Sequence, residues 1–211
     1  MDSENGKGAG SHLSWEILNI VGTIAFAVSG AIVAMEEEYD MLGVYLLALV
    51  TAFGGGATRN LLIGVPVSAL WEQGGLFAAA LAASTLIFFI PNLWFRFLKQ
   101  WRFFDAVGLA AFAIQGALYA VEMERPMIAV VVAALLTGSG GGVIRDVLAG
   151  RKPLIFHDEI YGMWAMLAGL IVGLGFGREG WELFALLALI VTLRMLTIAR
   201  GWKLPKRKLR G

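Results

Sequence analysis

Residues 19–64 align without a gap on residues 105–150, an offset of 86, and 21 of the 46 paired positions are identical. The strongest block is Gly54-Gly55-Gly56-x-x-Arg59-x-x-Leu62-x-Gly64 against Gly140-Gly141-Gly142-x-x-Arg145-x-x-Leu148-x-Gly150. Val21-Gly22, Ala25-Phe26-Ala27, Gly30-Ala31, Glu36, Met41 and Thr51 recur at the same offset, and Pro66 and Pro153 follow one insertion apart. A bias toward Ala and Gly scatters such matches, but it does not set down the same GGGxxR block twice. Any fold for this chain must hold two copies of one unit.

Composition says what that unit is made of. The chain is 58% hydrophobic and 16% charged, where a soluble domain is about half apolar and about a quarter charged. A net charge of +1 offers no field for a polyanion, so nucleic acid is excluded as a partner. With no Cys there is no disulfide framework and no thiolate metal site. The sequence describes an integral membrane protein.

A transmembrane helix needs about 20 mostly apolar residues to cross about 30 Å of hydrocarbon. Seven stretches fit, at 15–35, 41–62, 73–95, 104–121, 127–148, 159–177 and 181–199. Strict apolar–polar alternation is absent, which argues against a β-barrel. Trp15, Trp71, Trp94, Trp101, Trp181 and Trp202 fall near span ends, where indoles favour the headgroup region, and only Trp164 sits well inside. The leader before the first span carries Asp2 and Glu4 with only Lys7, a poor basic region for a signal peptide, so this span is expected to persist as a helix. Arg194, in the last turns of the seventh span, is expected to snorkel to the headgroups.

The expected fold is therefore all-α and membrane-embedded, with seven transmembrane helices. An outer N-terminal tail (1–14) precedes a first three-helix repeat (15–98) and a second (99–177). A seventh helix (178–199) and a basic inner tail (200–211) complete the chain. An odd number of spans per repeat sends the second copy into the membrane from the opposite face, giving an inverted repeat. Leaving aside Arg59 and Arg145 of the glycine blocks and Arg194 within the seventh span, eleven Lys and Arg fall on one side and three on the other. That bias places the N-terminus outside and the C-terminus in the cytoplasm.

Three consecutive glycines cost a helix about 1 kcal/mol each relative to Ala, and paired Gly-interrupted spans point to a midplane site. Gly54, Gly55, Gly56, Gly140, Gly141 and Gly142 are accordingly expected to break spans two and five and line a pathway. Arg59 and Arg145 follow each block by three residues, and an intramembrane Arg normally faces the bundle interior or a wet cavity. Asp146 beside Arg145 can offset its charge, whereas Asn60 beside Arg59 cannot. Gly169, Gly173 and Gly177, with Gly30/Ala34 and Gly116/Ala120, have the spacing of helix-packing faces. Glu36-Glu37-Glu38 with Asp40 forms an acidic connection, either a vestibule or a solvated turn. His157-Asp158-Glu159 lacks a helical metal-ligand spacing and fits a solvated helix start. No Gly-Lys-Ser/Thr follows the glycines, so nucleotide binding is discounted. No nucleophile–base set appears and no cofactor is expected; the chain is not an enzyme.

The three-plus-three repeat, the seventh span and the paired GGGxxR blocks with Leu-x-Gly-x-Pro tails resemble the bacterial branch of the trimeric intracellular cation (TRIC) channel family. Its repeat unit is also called a glycine transporter domain. The resemblance covers residues 15–200 and implies a plasma-membrane homotrimer passing potassium and sodium through a pore in each protomer. It carries Gly54, Gly55, Gly56, Arg59, Gly140, Gly141, Gly142, Arg145 and Asp146 into that role; the family's Arg-Asp in the first block stands here as Arg59-Asn60. The alternative is a carrier for glycine or another small zwitterion, with Arg59 as carboxylate anchor. A mere scaffold leaves two costly glycine blocks unexplained.

Overall fold

In a computed structural model the described residues are 2–64, 66, 68, 71–89, 101–157, 160–178 and 180–205, and among them the ordered elements are helical. They are α1 (Asp2–Glu36), α2 (Met41–Ile63), α3 (Gly74–Phe89), α4 (Trp101–Glu122), α5 (Met127–Leu148), the single turn α6 (Leu154–His157), α7 (Tyr161–Gly173) and α8 (Gly180–Arg200). Five of these, α1, α2, α4, α5 and α8, are long and apolar enough to cross a membrane; α3 and α7 are apolar but shorter. The short helices are the third member of each repeat. The third span was expected to reach residue 95, but 90–100 lie outside the described residues. The 1–14 segment, expected as a tail, continues α1 from Asp2.

Local chemistry fixes the ends. The Asp40 carboxylate accepts from the Gly43 N–H at 2.8 Å and starts α2. Gly64 ends α2 and Gly150 follows α5, with φ of +81° and +70° at equivalent repeat positions. Glu38 and Glu124, also 86 apart, both take a left-handed conformation, so the duplication extends to the turns. The Arg178 guanidinium donates to the Val172 and Gly173 carbonyls and closes the end of α7. Gly177, expected on a helix face with Gly169 and Gly173, instead lies beyond the helix with φ +66°. Gly169 does pack as expected: a Cβ there would stand 2.7 Å from Ala134 Cβ.

The repeats pack alike. α1 lies on α2 and α3 as α4 lies on α5 and α7, and the halves join through α1 on α4 and α2 on α5. α8 packs on α4 and α7. Across the join, Gly22 faces Ala111 and Phe112 while Gly108 faces Phe26, so α1 and α4 run antiparallel. Gly55 faces Thr137 while Gly141 faces Thr51, so α2 and α5 do the same. Equivalent helices thus cross in opposite directions, the arrangement that an odd-numbered repeat demands. Phe26 and Phe112, equivalent residues, meet at the join with ring centres 5.3 Å apart. Leu42, Leu46, Leu61, Leu86, Phe89 and Ile128 are exposed apolar side chains at the outside of the bundle, as a hydrocarbon solvent permits.

Candidate functional site

The glycine blocks do not interrupt their helices: α2 and α5 run through them. The expected helix breaks are therefore corrected. The glycines are needed because two backbones pass where side chains would stand. A Cβ on Gly55 would collide with the Thr137 carbonyl oxygen, and one on Gly141 with the Thr51 carbonyl oxygen. A Cβ on Gly140 would stand 3.1 Å from Gly55 Cα, and one on Gly54 2.8 Å from Ile144 Cδ1. Gly30 and Gly116 serve the packing within each half, where an added Cβ would stand 2.6 Å from Thr51 Oγ1 and 2.5 Å from Thr137 Oγ1. Thr51 and Thr137 return their hydroxyls to the Leu47 and Ala133 carbonyls, each at 2.6 Å. Close small-residue packing is the main attraction available between helices in lipid, so the block cements the join.

The two arginines share one local geometry and sit in opposite surroundings. Arg59 donates Nε and Nη2 to Asn60 Oδ1 at 3.1 and 2.9 Å. Arg145 donates the same two atoms to Asp146 Oδ1 at 2.9 and 2.8 Å. Beyond that bidentate grip they diverge. Arg145 Nη1 donates to Asp105 Oδ1 and to Ser29 Oγ, both at 2.7 Å. Tyr161 donates its hydroxyl to Asp105 at 3.3 Å, and the Leu154 N–H donates to Asp146 Oδ2 at 3.1 Å. Trp101 covers the guanidinium, with its ring centre 4.7 Å away. Gly142 keeps this centre open, since a Cβ there would reach Tyr161 Oη at 2.9 Å and Asp105 at 3.4 Å. Arg145 and Asp105 are fully buried and paired, all of Asp105's bonds falling on Oδ1, while its Oδ2 is buried without a hydrogen-bond partner among the described residues.

Arg59 faces a cavity instead. About 290 Å³ of open space lies between α1, α2 and α4, walled by Asn19, Thr23, Gly56, Arg59, Gln115 and Tyr119 among others. The Arg59 guanidinium sits over the Tyr119 ring, with Cζ 4.0 Å from the ring centre. Trp15 packs edge-on against Tyr119 at 5.1 Å. The space is the first-half counterpart of the volume that the Arg145 centre fills.

Sequence reasoning singled out both arginines, Asn60 and Asp146, and the structure pairs each arginine with its neighbour but keeps the two centres apart. It missed Asp105, Ser29, Tyr161, Asn19, Gln115 and Tyr119. The repeat alignment held the signal for part of this: Asp105 pairs with Asn19 just as Asp146 pairs with Asn60. Arg194 was expected to snorkel; it is fully buried, with its guanidinium 4.7 Å from the Tyr161 ring centre. Helix α8 presents it to the protein, where Tyr161 of α7 offers it an aromatic face. The acidic turn is exposed at Glu37, Glu38 and Asp40, as a solvated turn should be, and Arg151 donates to Glu37 at 2.6 Å and to Glu36 at 3.0 Å, tying the end of α1 to the loop after α5. His157-Asp158-Glu159 lies largely outside the described residues, and no metal-binding group occurs among those described.

The family model described as "Glycine transporter" matches residues 16–92 and 102–177, once on each repeat. A UPF0126 membrane protein, YvgT, of Bacillus subtilis is 61% identical over 94% of this chain and 98% of its own. The UPF0126 inner membrane protein YadS of Escherichia coli is 34% identical over 89% and 93%. Among solved structures, a prokaryotic TRIC channel in 0.5 M KCl is 30% identical, with a TM-score of 0.82 over 92% of this chain and all of that one. The TRIC trimeric intracellular cation channel orthologue from Rhodobacter sphaeroides is 33% identical, with a TM-score of 0.76 over 89% and 98%.

Proposed function

Because the chain belongs to the glycine-transporter family of UPF0126 membrane proteins, we propose that it is a channel for monovalent cations, potassium and sodium, in the bacterial plasma membrane. The protein crosses the bilayer seven times, with α3 and α7 as the short spans, its N-terminus outside and its C-terminus inside. Three copies assemble, each with its own pore around the glycine-bearing helices α2 and α5. Gly54, Gly55, Gly140 and Gly141 hold those helices together; Gly56 and Arg59, with Asn60 behind it, form the wall of the entrance. Arg145 and Asp146 close the equivalent volume in the second half, and conduction requires that centre to loosen.

The observation carrying this reading is the polar cavity that enters between α1, α2 and α4 as far as Gly56, in a chain that shares its fold and about a third of its residues with cation channels of known structure. An intramembrane ionisable group beside a wet cavity marks an ion path more readily than a packing site. Purified protein in liposomes should dissipate a potassium gradient without accumulating labelled glycine. Glycine uptake without potassium flux would replace the channel by a small-zwitterion carrier.

A further inference from the structure

The two halves solve one problem in two ways. In the second half, Arg145 meets a carboxylate, Asp105, and a hydroxyl, Ser29, through Nη1. At the equivalent positions around Arg59 stand Asn19 of the first half and Gln115 of the second, the repeat counterparts of Asp105 and Ser29, and the second grip on the guanidinium has also changed from Asp146 to Asn60. Both carboxylates of the template have become amides, while the arginine has stayed. Among the described residues, the bonds of Arg59 are those to Asn60 and the ring contact with Tyr119. It is 7% exposed and borders an open cavity.

A second feature of the cavity points the same way. Gln115 lines it, is 2% exposed, and its Nε2 has no hydrogen-bond partner. A buried amide donor whose hydrogen bond is unmade is a standing cost that a bound acceptor relieves. Asn19 and Thr23 add further donor capacity to the wall, and Glu16 stands at the exposed rim. An arginine charge and a stranded amide N–H converge on space that in the sister site holds a carboxylate.

We propose that the Arg59 cavity binds a small carboxylate anion, seated where the second half carries Asp105. Arg59 Nη1 donates to one oxygen of the anion and Gln115 Nε2 to the other, with Asn19 closing the third side. The anion neutralises the entrance charge without being the transported species, so this inference stands apart from the channel reading and is tested by binding rather than by flux.

The experiment is calorimetric titration of acetate, and separately of chloride, into the purified protein in sodium sulfate of fixed ionic strength. Acetate should bind saturably. Asn19→Asp installs the sister site's own carboxylate and should weaken acetate by at least about tenfold, since the built-in group claims the charge-assisted hydrogen bonds. Arg59→Gln should abolish the heat, and Gln115→Leu should weaken it. Unchanged thermal unfolding of Asn19→Asp shows that the fold is intact. Absence of acetate binding, or acetate binding that Asn19→Asp leaves unchanged in a folded protein, overturns the proposal. Saturable chloride binding without acetate binding overturns the carboxylate assignment.

Discussion

Alanine substitutions within one glycine block separate close packing from a helix break. If the block serves as a flexible break, Gly54, Gly55 and Gly56 are interchangeable, and any Ala stiffens the helix by its propensity gain of about 1 kcal/mol. The α2–α5 crossing predicts a steep difference instead. A Cβ at position 54 meets Ile144 Cδ1 at 2.8 Å, the far end of a flexible side chain that can rotate away. At position 55 it runs into the Thr137 carbonyl oxygen, which belongs to the backbone of α5 and moves only if the helices separate. Overpacking of this kind costs about 1–3 kcal/mol, and the lost contacts along the crossing add to it. Gly54→Ala should therefore lie within about 1 kcal/mol of the parent, while Gly55→Ala loses about 2–3 kcal/mol. Gly141→Ala, blocked by Thr51 and flanked by Phe26, should match Gly55→Ala. The double variant Gly55→Ala/Gly141→Ala should cost less than the sum, because one separation of the helices relieves both clashes. Reversible unfolding in mixed micelles, followed by circular dichroism, reads these differences. Equal stability of Gly54→Ala and Gly55→Ala would refute the packing role.

Asp105→Ala should be among the most damaging polar substitutions, costing about 3–5 kcal/mol, because it removes one partner of a fully buried pair; Asn19→Ala, at the equivalent place beside the cavity, should cost under about 1 kcal/mol in the same unfolding assay. Arg151→Ala severs two partly exposed ion pairs, so stability should fall by no more than about 1 kcal/mol and the loss should shrink in high salt. Arg59→Gln should preserve or raise potassium flux in liposomes, since it removes a positive charge from the entrance; loss of flux in a folded protein would contradict a repelling role. In the cysteine-free background, Ser11→Cys and Leu204→Cys should label from opposite faces of intact cells or spheroplasts, and same-side labelling would remove the odd span count.

The duplication was legible because it left identical residues at a constant offset, and turns at Glu38/Glu124 and Gly64/Gly150 preserve it in the backbone. Span positions were legible where hydropathy runs long, as in α2 and α5; the end of α7 was not, because Gly173 through Gly177 remain apolar after the helix stops at the Arg178-capped carbonyls. The glycine blocks were located correctly and misread mechanistically. Three glycines in a row weaken an isolated helix, yet here the neighbouring helix supplies contacts that only glycine admits, and no single-helix propensity contains that information. Arg59 and Arg145 were legible as intramembrane charges. Their unlike environments arise from residues 40 and more positions away in the chain, such as Asp105, Gln115 and Tyr119; the packing of α4 on α5 brings Asp105 to Arg145, and the join between the halves brings Gln115 and Tyr119 to the Arg59 cavity.

The most direct test of the cation-channel account is the reversal potential of purified protein in a planar bilayer under a tenfold potassium chloride gradient. A cation channel should reverse near the potassium equilibrium potential, about 59 mV in magnitude, with the sign of cation selectivity. Reversal at zero, reversal with the opposite sign, or the absence of any current from folded protein would contradict it.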